Sequence, residues 1–236
     1  MKIGIMGAMG AGKDTVGDMI ADKLEMDTIR FAAPIKNITR NVFEFDFDDR
    51  AHKEVAIPFT DGMKNAAIGA CMLEYTTTLQ SYMGANGFYK LLDKAREVII
   101  PLTEVSPRTF QQLVGTEIFR AIDPDVWLQP VLGSEGVVCT DVRFVNEACL
   151  FDKIVVVLNP RVAPLATDTH ASEQFLKSLL ESNHDKYPCK LGELHSSGLV
   201  SKHQVFGHTC DLYVIYNAYS MTRLDEIVNT IIADWK

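Results

Sequence analysis

The chain has 236 residues, 47% apolar and 23% charged, which is ordinary globular usage and enough to bury a large core. Its 23 lysines and arginines against 31 aspartates and glutamates leave a net charge of −8. With no basic stripe to release counterions, a nucleic-acid polymer is not an expected partner, whereas a small phosphate ligand needs only a few placed cations.

No uncharged apolar run reaches the length of a membrane span, so no membrane partner is expected. Met1 leads directly into an apolar strand, which leaves no room for a signal peptide. Five cysteines, an odd number without a CxxC pair, fit a reducing cytoplasm better than a disulfide framework. The length suits one α/β domain with an elaboration, or two small lobes.

Lys2 to Met6 reads as a short buried strand, followed by Gly7-Ala-Met-Gly-Ala-Gly12-Lys13-Asp14. Val16, Met19, Ile20 and Leu24 then recur at helical spacing. A strand, a glycine loop ending in Gly-Lys and a helix is the context of a phosphate-binding P-loop. Glycines let backbone N–H groups curl around a phosphate, the helix N-terminus adds its positive dipole end, and Lys13 supplies a mobile cation. A plain βα turn would leave unexplained the lysine at its own helix N-terminus and three glycines in six residues. The usual pattern ends Lys-Ser/Thr, but here Asp14 follows Lys13 and Thr15 comes one later. The candidate magnesium ligands are therefore Thr15, or Asp14 through a water, since magnesium in phosphate sites keeps several waters.

Thr28 to Ala32 reads as the second strand, and Pro34 to Phe43 as a helix with proline in its first turn. Residues 45–105 read as a mostly helical insertion, suited to a substrate lobe or a homodimer surface. Ser106-Pro107 is a clean helix start, serine as cap and proline at the first position. That helix is expected to run to about Ala121, with Phe110, Leu113, Val114 and Ile118 inward. Arg108, Gln112, Thr116 and Arg120 step along one face as a polar stripe able to line a cleft. Gly115 in mid-helix costs about 1 kcal/mol relative to alanine, for which close approach of a ligand or of another backbone is a possible return.

Gly136 to Thr140 reads as a buried strand, and Asp141 to Glu147 as the start of a helix. In open α/β sheets ligands bind beyond the carboxyl ends of strands, which puts Asp141 and Arg143 on the rim that carries the P-loop. Lys153 to Leu158 is the next parallel strand, with Arg161 beyond its end where a lid arginine would sit. Residues 161–209 read as lid-like, and Asn183 to His208 as polar, histidine-rich and poorly periodic. Asp211 to Tyr216 is the last strand and Met221 to Trp235 the closing helix. Cys189, His195, His203, His208 and Cys210 match no standard zinc spacing. Ser196-Ser197-Gly198 lacks the context of a nucleophile elbow.

In order along the chain, GAMGAGKDT, FAAPIK, SPRTFQQLVGTEIFRAIDPDVW, TDVRFVNEA and HASE resemble the deoxynucleoside monophosphate kinases of tailed bacteriophages. The resemblance is dense over 1–40 and 106–173, weak over 45–105 and thin after 175. It implies a P-loop kinase fold, α/β with a central parallel sheet, a nucleotide-monophosphate lobe and a lid, in a single domain over 1–236. It also implies an ATP-dependent enzyme using Mg²⁺ on a deoxynucleoside monophosphate in the cytoplasm, the host's if phage-encoded. Catalysis would fall to Lys13, Asp14, Arg108 and Arg143. Gly10, Ala11, Gly12, Lys13, Asp14 and Thr15 would bind ATP. The acceptor site would comprise Arg108, Gln112, Gly115, Thr116, Trp127, Asp141, Arg143 and Glu147. Thr109 stands where some relatives place a basic residue. A dephospho-coenzyme A kinase or another small-molecule kinase shares only the first thirty residues of this pattern, and a nucleotide-gated switch has the 45–105 insertion and the histidine-rich tail in its favour.

Overall fold

A computed structural model describes residues 1–8, 10–43, 45, 50–159, 199–205, 208–217 and 220–235. From the amino terminus the elements run β1 (Lys2–Met6), α1 (Lys13–Leu24), β2 (Asp27–Ile29), α2 (Ala33–Arg40), α3 (Arg50–Lys53) and β3 (Ile57–Pro58). Next come α4 (Asp61–Glu74), a π-helical segment (Tyr75–Leu79), α5 (Gln80–Ile99), β4 (Glu104–Val105) and α6 (Pro107–Gln112). α6 continues as a second π-helical segment (Leu113–Arg120), and a 3-10 turn (Val126–Leu128) leads to α7 (Gln129–Leu132). The chain closes with β5 (Val137–Cys139), α8 (Val145–Ala148), β6 (Lys153–Leu158), β7 (Leu199–Val205), β8 (His208–Tyr216) and α9 (Met221–Asp234). It divides into two compact units, one of Met1–Phe31 with Pro130–Lys236, the other of Ala32–Gln129.

The first unit is α/β, as expected, around a sheet ordered β2-β5-β1-β6-β8-β7. The first five strands of that order are parallel and β7 runs antiparallel to β8. β1 lies between β5 and β6, Ile3 opposite Val138 on one side and Lys153 on the other. A strand so placed is covered on both faces, which is why KIGIM is apolar without alternation. On one face Ile3, Ile5, Val138, Val155, Val157, Tyr213 and Ile215 pack with Val16 and Ile20 of α1 and Leu224, Val228 and Ile231 of α9.

Several boundaries differ from the sequence reading, and three of the differences have a physical reason in the structure. β2 stops at Ile29 instead of Ala32, because the Phe31 N–H donates to the Asp141 carboxylate at 2.9 Å instead of continuing the ladder. The helix expected from Asp141 starts only at Val145, since the amides of Arg143 and Phe144 are held by the Glu147 side chain. Within the segment read as an aperiodic lid, Leu199–Val205 is a strand, and β8 begins at His208 instead of Asp211. Val200 stands opposite Tyr213 there, so pairing with the next strand, β8, and not its own periodicity makes it a strand.

The second unit packs Phe43, Phe59 and Phe110 together, with ring centroids 5.5 to 6.4 Å apart. Thr60 and Ser106 cap α4 and α6 through their hydroxyls, accepting from the N–H of Met63 and of Thr109. α5 is interrupted at Gly84, whose φ of 65° no helix accommodates. Among the described residues no helix is long and apolar enough to cross a membrane.

Candidate functional site

The carboxyl end of β1 feeds the glycine loop, and its backbone has the conformation the sequence required. Gly10 and Gly12 lie at φ 81° and 95°, in the left-handed region that a side chain disfavours. The Ala11 N–H donates to the Ala8 carbonyl at 3.1 Å, closing a tight turn, and α1 begins at Lys13. Gly12 stands at the cap position and offers no side-chain acceptor to the first turn. That leaves a helix N-terminus suited to an external anion. The Lys13 ammonium folds back over the loop, donating to the Ala8 carbonyl at 2.9 Å.

Asp14 is the first position where the loop leaves the common pattern, and the structure gives its carboxylate two partners. Thr140, buried at the end of β5, donates its hydroxyl to Asp14 Oδ1 at 2.8 Å. Arg30, at the end of β2, brings its guanidinium within 3.2 Å of the same oxygen. The carboxyl ends of β1, β2 and β5 thus meet at Asp14, as the sheet order dictates. Thr15 is half-buried beside it. A carboxylate and a hydroxyl are hard oxygen donors of the kind magnesium takes, so Asp14 and Thr15 fit the metal expected there. Among the described residues no cluster of three or more His, Cys, Asp or Glu forms a protein-only metal cage.

Asp141 holds the neighbouring rim. Its Oδ1 accepts from the Phe31 N–H at 2.9 Å and from the Cys139 thiol at 3.2 Å. Burial first, then the Asp141 charge, pushes the Cys139 thiol well above its ordinary value, so it stays protonated and donates. Arg143 extends into solvent two residues on, and among the described residues its guanidinium meets no carboxylate. Glu147 has a different place from the one expected. It is 2% exposed, and its Oε2 accepts from the backbone N–H of Arg143 at 2.6 Å and of Phe144 at 3.1 Å. It orients the turn that carries Arg143 and presents no open carboxylate to a ligand.

The remaining expected residues belong to the second unit. Arg108 pairs with Glu54 at 3.1 Å, and Gln112 and Thr116 are exposed on the same helical run. Gly115 and Trp127 are inside that unit. A Cβ on Gly115 would lie 2.9 Å from Ile35 Cδ1, so the glycine makes room for a side chain of α2. Trp127 is 2% exposed, donates its indole N–H to the Gly115 carbonyl at 3.1 Å, and packs on Phe119 at 4.7 Å. A base-stacking platform needs an open ring face, which Trp127 lacks. Arg161, the HASE motif, most of the segment read as lid-like, and Cys189 and His195 lie outside the described residues.

Sequence reasoning missed Arg30, Thr140 and Asn217. Each sits at the carboxyl end of a parallel strand, and that position was the available signal. Asn217, just past β8, donates its side-chain amide to the Ala11 carbonyl at 2.8 Å, behind the glycine loop.

No protein-family model and no curated protein matches the chain. Among solved structures it is similar to the dephospho-CoA kinase of Campylobacter jejuni, at 12% identity over 99% of this chain and 96% of that one, with a TM-score of 0.35. It is similar also to the deoxyadenosine kinase of M. mycoides with products dCMP and a flexible dCDP bound, at 12% identity over the whole of both chains and a TM-score of 0.30. The same enzyme with bound dATP gives 10% identity over 99% of this chain and all of that one, with a TM-score of 0.28.

Proposed function

We propose that the chain is an ATP-dependent kinase that converts a (deoxy)nucleoside monophosphate to the diphosphate. The observation that carries this reading is the loop itself. Gly10 and Gly12 are left-handed, an uncapped helix N-terminus follows, and the Lys13 ammonium rests on a loop carbonyl it can exchange for a phosphate oxygen. The resemblance of the motifs and their order to phage deoxynucleoside monophosphate kinases supports the choice of acceptor.

The chemistry asked of the protein is positioning and charge stabilisation. The loop amides of Gly10 to Gly12 and the Lys13 ammonium hold the donor phosphates. Arg108 and Arg143 grip the acceptor monophosphate, a guanidinium fork matching phosphate geometry. Arg108 leaves Glu54 to do so. An acceptor phosphate oxygen, anionic near neutral pH, attacks the terminal phosphorus of ATP; that P–O bond forms as the bond to the bridging oxygen breaks, and ADP leaves. No general base is needed. Thr15, or Asp14 through a water, would hold magnesium, which would supply neutralisation of the donor phosphates' charge. Asp141 keeps the β5 rim and the β2 end together beside this site.

The test is ADP release with ATP and Mg²⁺ over a panel of deoxynucleoside monophosphates, ribonucleoside monophosphates and dephospho-coenzyme A. Turnover on the monophosphates bears the proposal out. Turnover confined to dephospho-coenzyme A moves the chain to the other acceptor class. Slow hydrolysis indifferent to every acceptor removes the kinase reading in favour of a nucleotide-gated switch.

A further inference from the structure

We propose that Asn217 is a positioning residue of the phosphate loop, a latch that fixes the direction of the Ala11–Gly12 peptide. The inference rests on the nucleotide-binding reading above. Asn217 is anchored by its own backbone, whose N–H donates to the Leu158 carbonyl at 2.7 Å. It therefore stands at the carboxyl ends of the adjacent parallel strands β6 and β8. From there its Nδ2 donates to the carbonyl of Ala11, a residue 1% exposed. A Cβ built on Gly12 would lie 2.2 Å from that nitrogen, so the amide fills the space a side chain at position 12 would need.

The consequence follows from peptide geometry. In a trans peptide the C=O and the next N–H point in opposite directions. Holding the Ala11 oxygen against Asn217 turns the Gly12 N–H the other way, away from the strand ends. Glycine at position 12 leaves the peptide free to flip, because both hands of φ are open to it. A flipped peptide would present a carbonyl oxygen to a phosphate instead of an N–H. The left-handed glycine thus gives the loop its shape and also its ambiguity, and the Asn217 amide removes the ambiguity. The orientation of that amide is fixed by its partner: a carbonyl accepts, so the atom facing it is the NH₂.

The latch acts on phosphates and not on the nucleoside, which gives it a distinguishing signature. The experiment is calorimetric titration of the whole chain with ATP and, separately, with inorganic tripolyphosphate, in wild type, Asn217→Ala and Asn217→Asp. Thermal unfolding checks that each variant folds. Loss of one hydrogen bond in Asn217→Ala is expected to weaken both ligands by the same factor, roughly five- to tenfold. Asn217→Asp keeps the shape, sets a carboxylate against the carbonyl, and is expected to weaken both further. In turnover, the KM for ATP rises while the acceptor KM holds. Should a variant unfold, Asn217→Ser, whose shorter side chain cannot reach the Ala11 carbonyl, takes its place, and equal loss for both ligands is again expected. Unchanged affinities in the variants overturn the latch. Loss for ATP alone, with tripolyphosphate binding intact, overturns it too, by placing Asn217 against the nucleoside. A wild-type chain that binds neither ligand removes the nucleotide reading itself, and the latch with it.

Discussion

Gly17 on α1 and Thr140 at the end of β5 form a matched pair whose coupling can be measured. A Cβ built on Gly17 would lie 2.2 Å from Thr140 Cγ2, 3.5 Å from Thr140 Cβ and 3.6 Å from Ile5 Cγ1. Carbon atoms in good contact sit about 3.5–4.0 Å apart, so Gly17→Ala forces either the Thr140 methyl or the helix to move. Thr140 is 1% exposed and its hydroxyl is bonded to Asp14, so it has little room to turn without breaking that bond. Overpacking of this kind costs about 1–3 kcal/mol, against which alanine in a helix interior returns about 1 kcal/mol over glycine. The single variant is therefore expected to be neutral to about 2 kcal/mol less stable. Thr140→Ser deletes the offending methyl, keeps the hydroxyl, and loses about 0.8 kcal/mol of burial. In that background the nearest remaining contacts are ordinary, and Gly17→Ala becomes stabilising by about 1 kcal/mol. Denaturant unfolding of the four proteins then gives a coupling of about 1–3 kcal/mol in favour of the double variant. Additivity within about 0.5 kcal/mol would refute the close approach, since uncoupled sites add to that precision.

Lys13→Ala is expected to lower kcat by roughly 10²–10³ or more, because it removes a charge aimed at the moving phosphoryl group; a steady-state assay showing near-native turnover would sink the P-loop role. Arg108→Ala should raise the acceptor KM by roughly tenfold or more while the KM for ATP stays put, and an unchanged acceptor KM would place that helix outside the site. Trp127→Phe withdraws a buried donor from the Gly115 carbonyl and should cost about 1–3 kcal/mol, seen as a fall in Tm of about 2–4 °C for each kcal/mol. Burial raises the Cys71 thiol from its ordinary value near 9 to about 12. Unfolded chains lose that proton first, so native stability contributed by the thiol is complete below pH 9 and lost as pH climbs toward 12; unfolding midpoints that rise over this interval would contradict the sign.

How much of this was legible beforehand follows from where the information lies. β1, β6 and the P-loop could be read because buried parallel strands are continuously apolar and because left-handed turns need glycine. Ser106 could be read because a helix cap is a local contract between a hydroxyl and an amide three residues on. The roles of Glu147, Gly115 and Trp127 could not. Glu147 faces its own backbone, Gly115 faces Ile35 of another helix, and Trp127 reaches Gly115 twelve residues back. Composition marks such residues as special without saying which neighbour makes them so. β7 failed to register for the same reason, its identity coming from β8.

The same logic explains the one residue that looks out of place in a phosphate loop. A carboxylate beside the lysine opposes an anionic ligand: at about 6 Å two unit charges repel by roughly 0.7 kcal/mol in water and about 3 kcal/mol at an effective dielectric of about 20. Against a triphosphate, which carries several charges, that is a substantial penalty for a chain already at −8. Arg30 offsets part of it with an opposite charge at 3.2 Å, and Thr140 orients the same oxygen with a hydroxyl at 2.8 Å. As a stabilising ion pair Arg30–Asp14 counts for little, both side chains being widely exposed, and such pairs contribute about 0–1 kcal/mol. Its consequence is electrostatic. With Oδ1 occupied by Arg30 and Thr140, the Asp14 carboxylate is oriented and locally compensated, so it can serve a metal-bound water without presenting a bare charge to the phosphates. The departure from Lys-Ser/Thr at position 14 is therefore compensated by β2 and β5, the strands that stand on β1's far side from β6 in the sheet order.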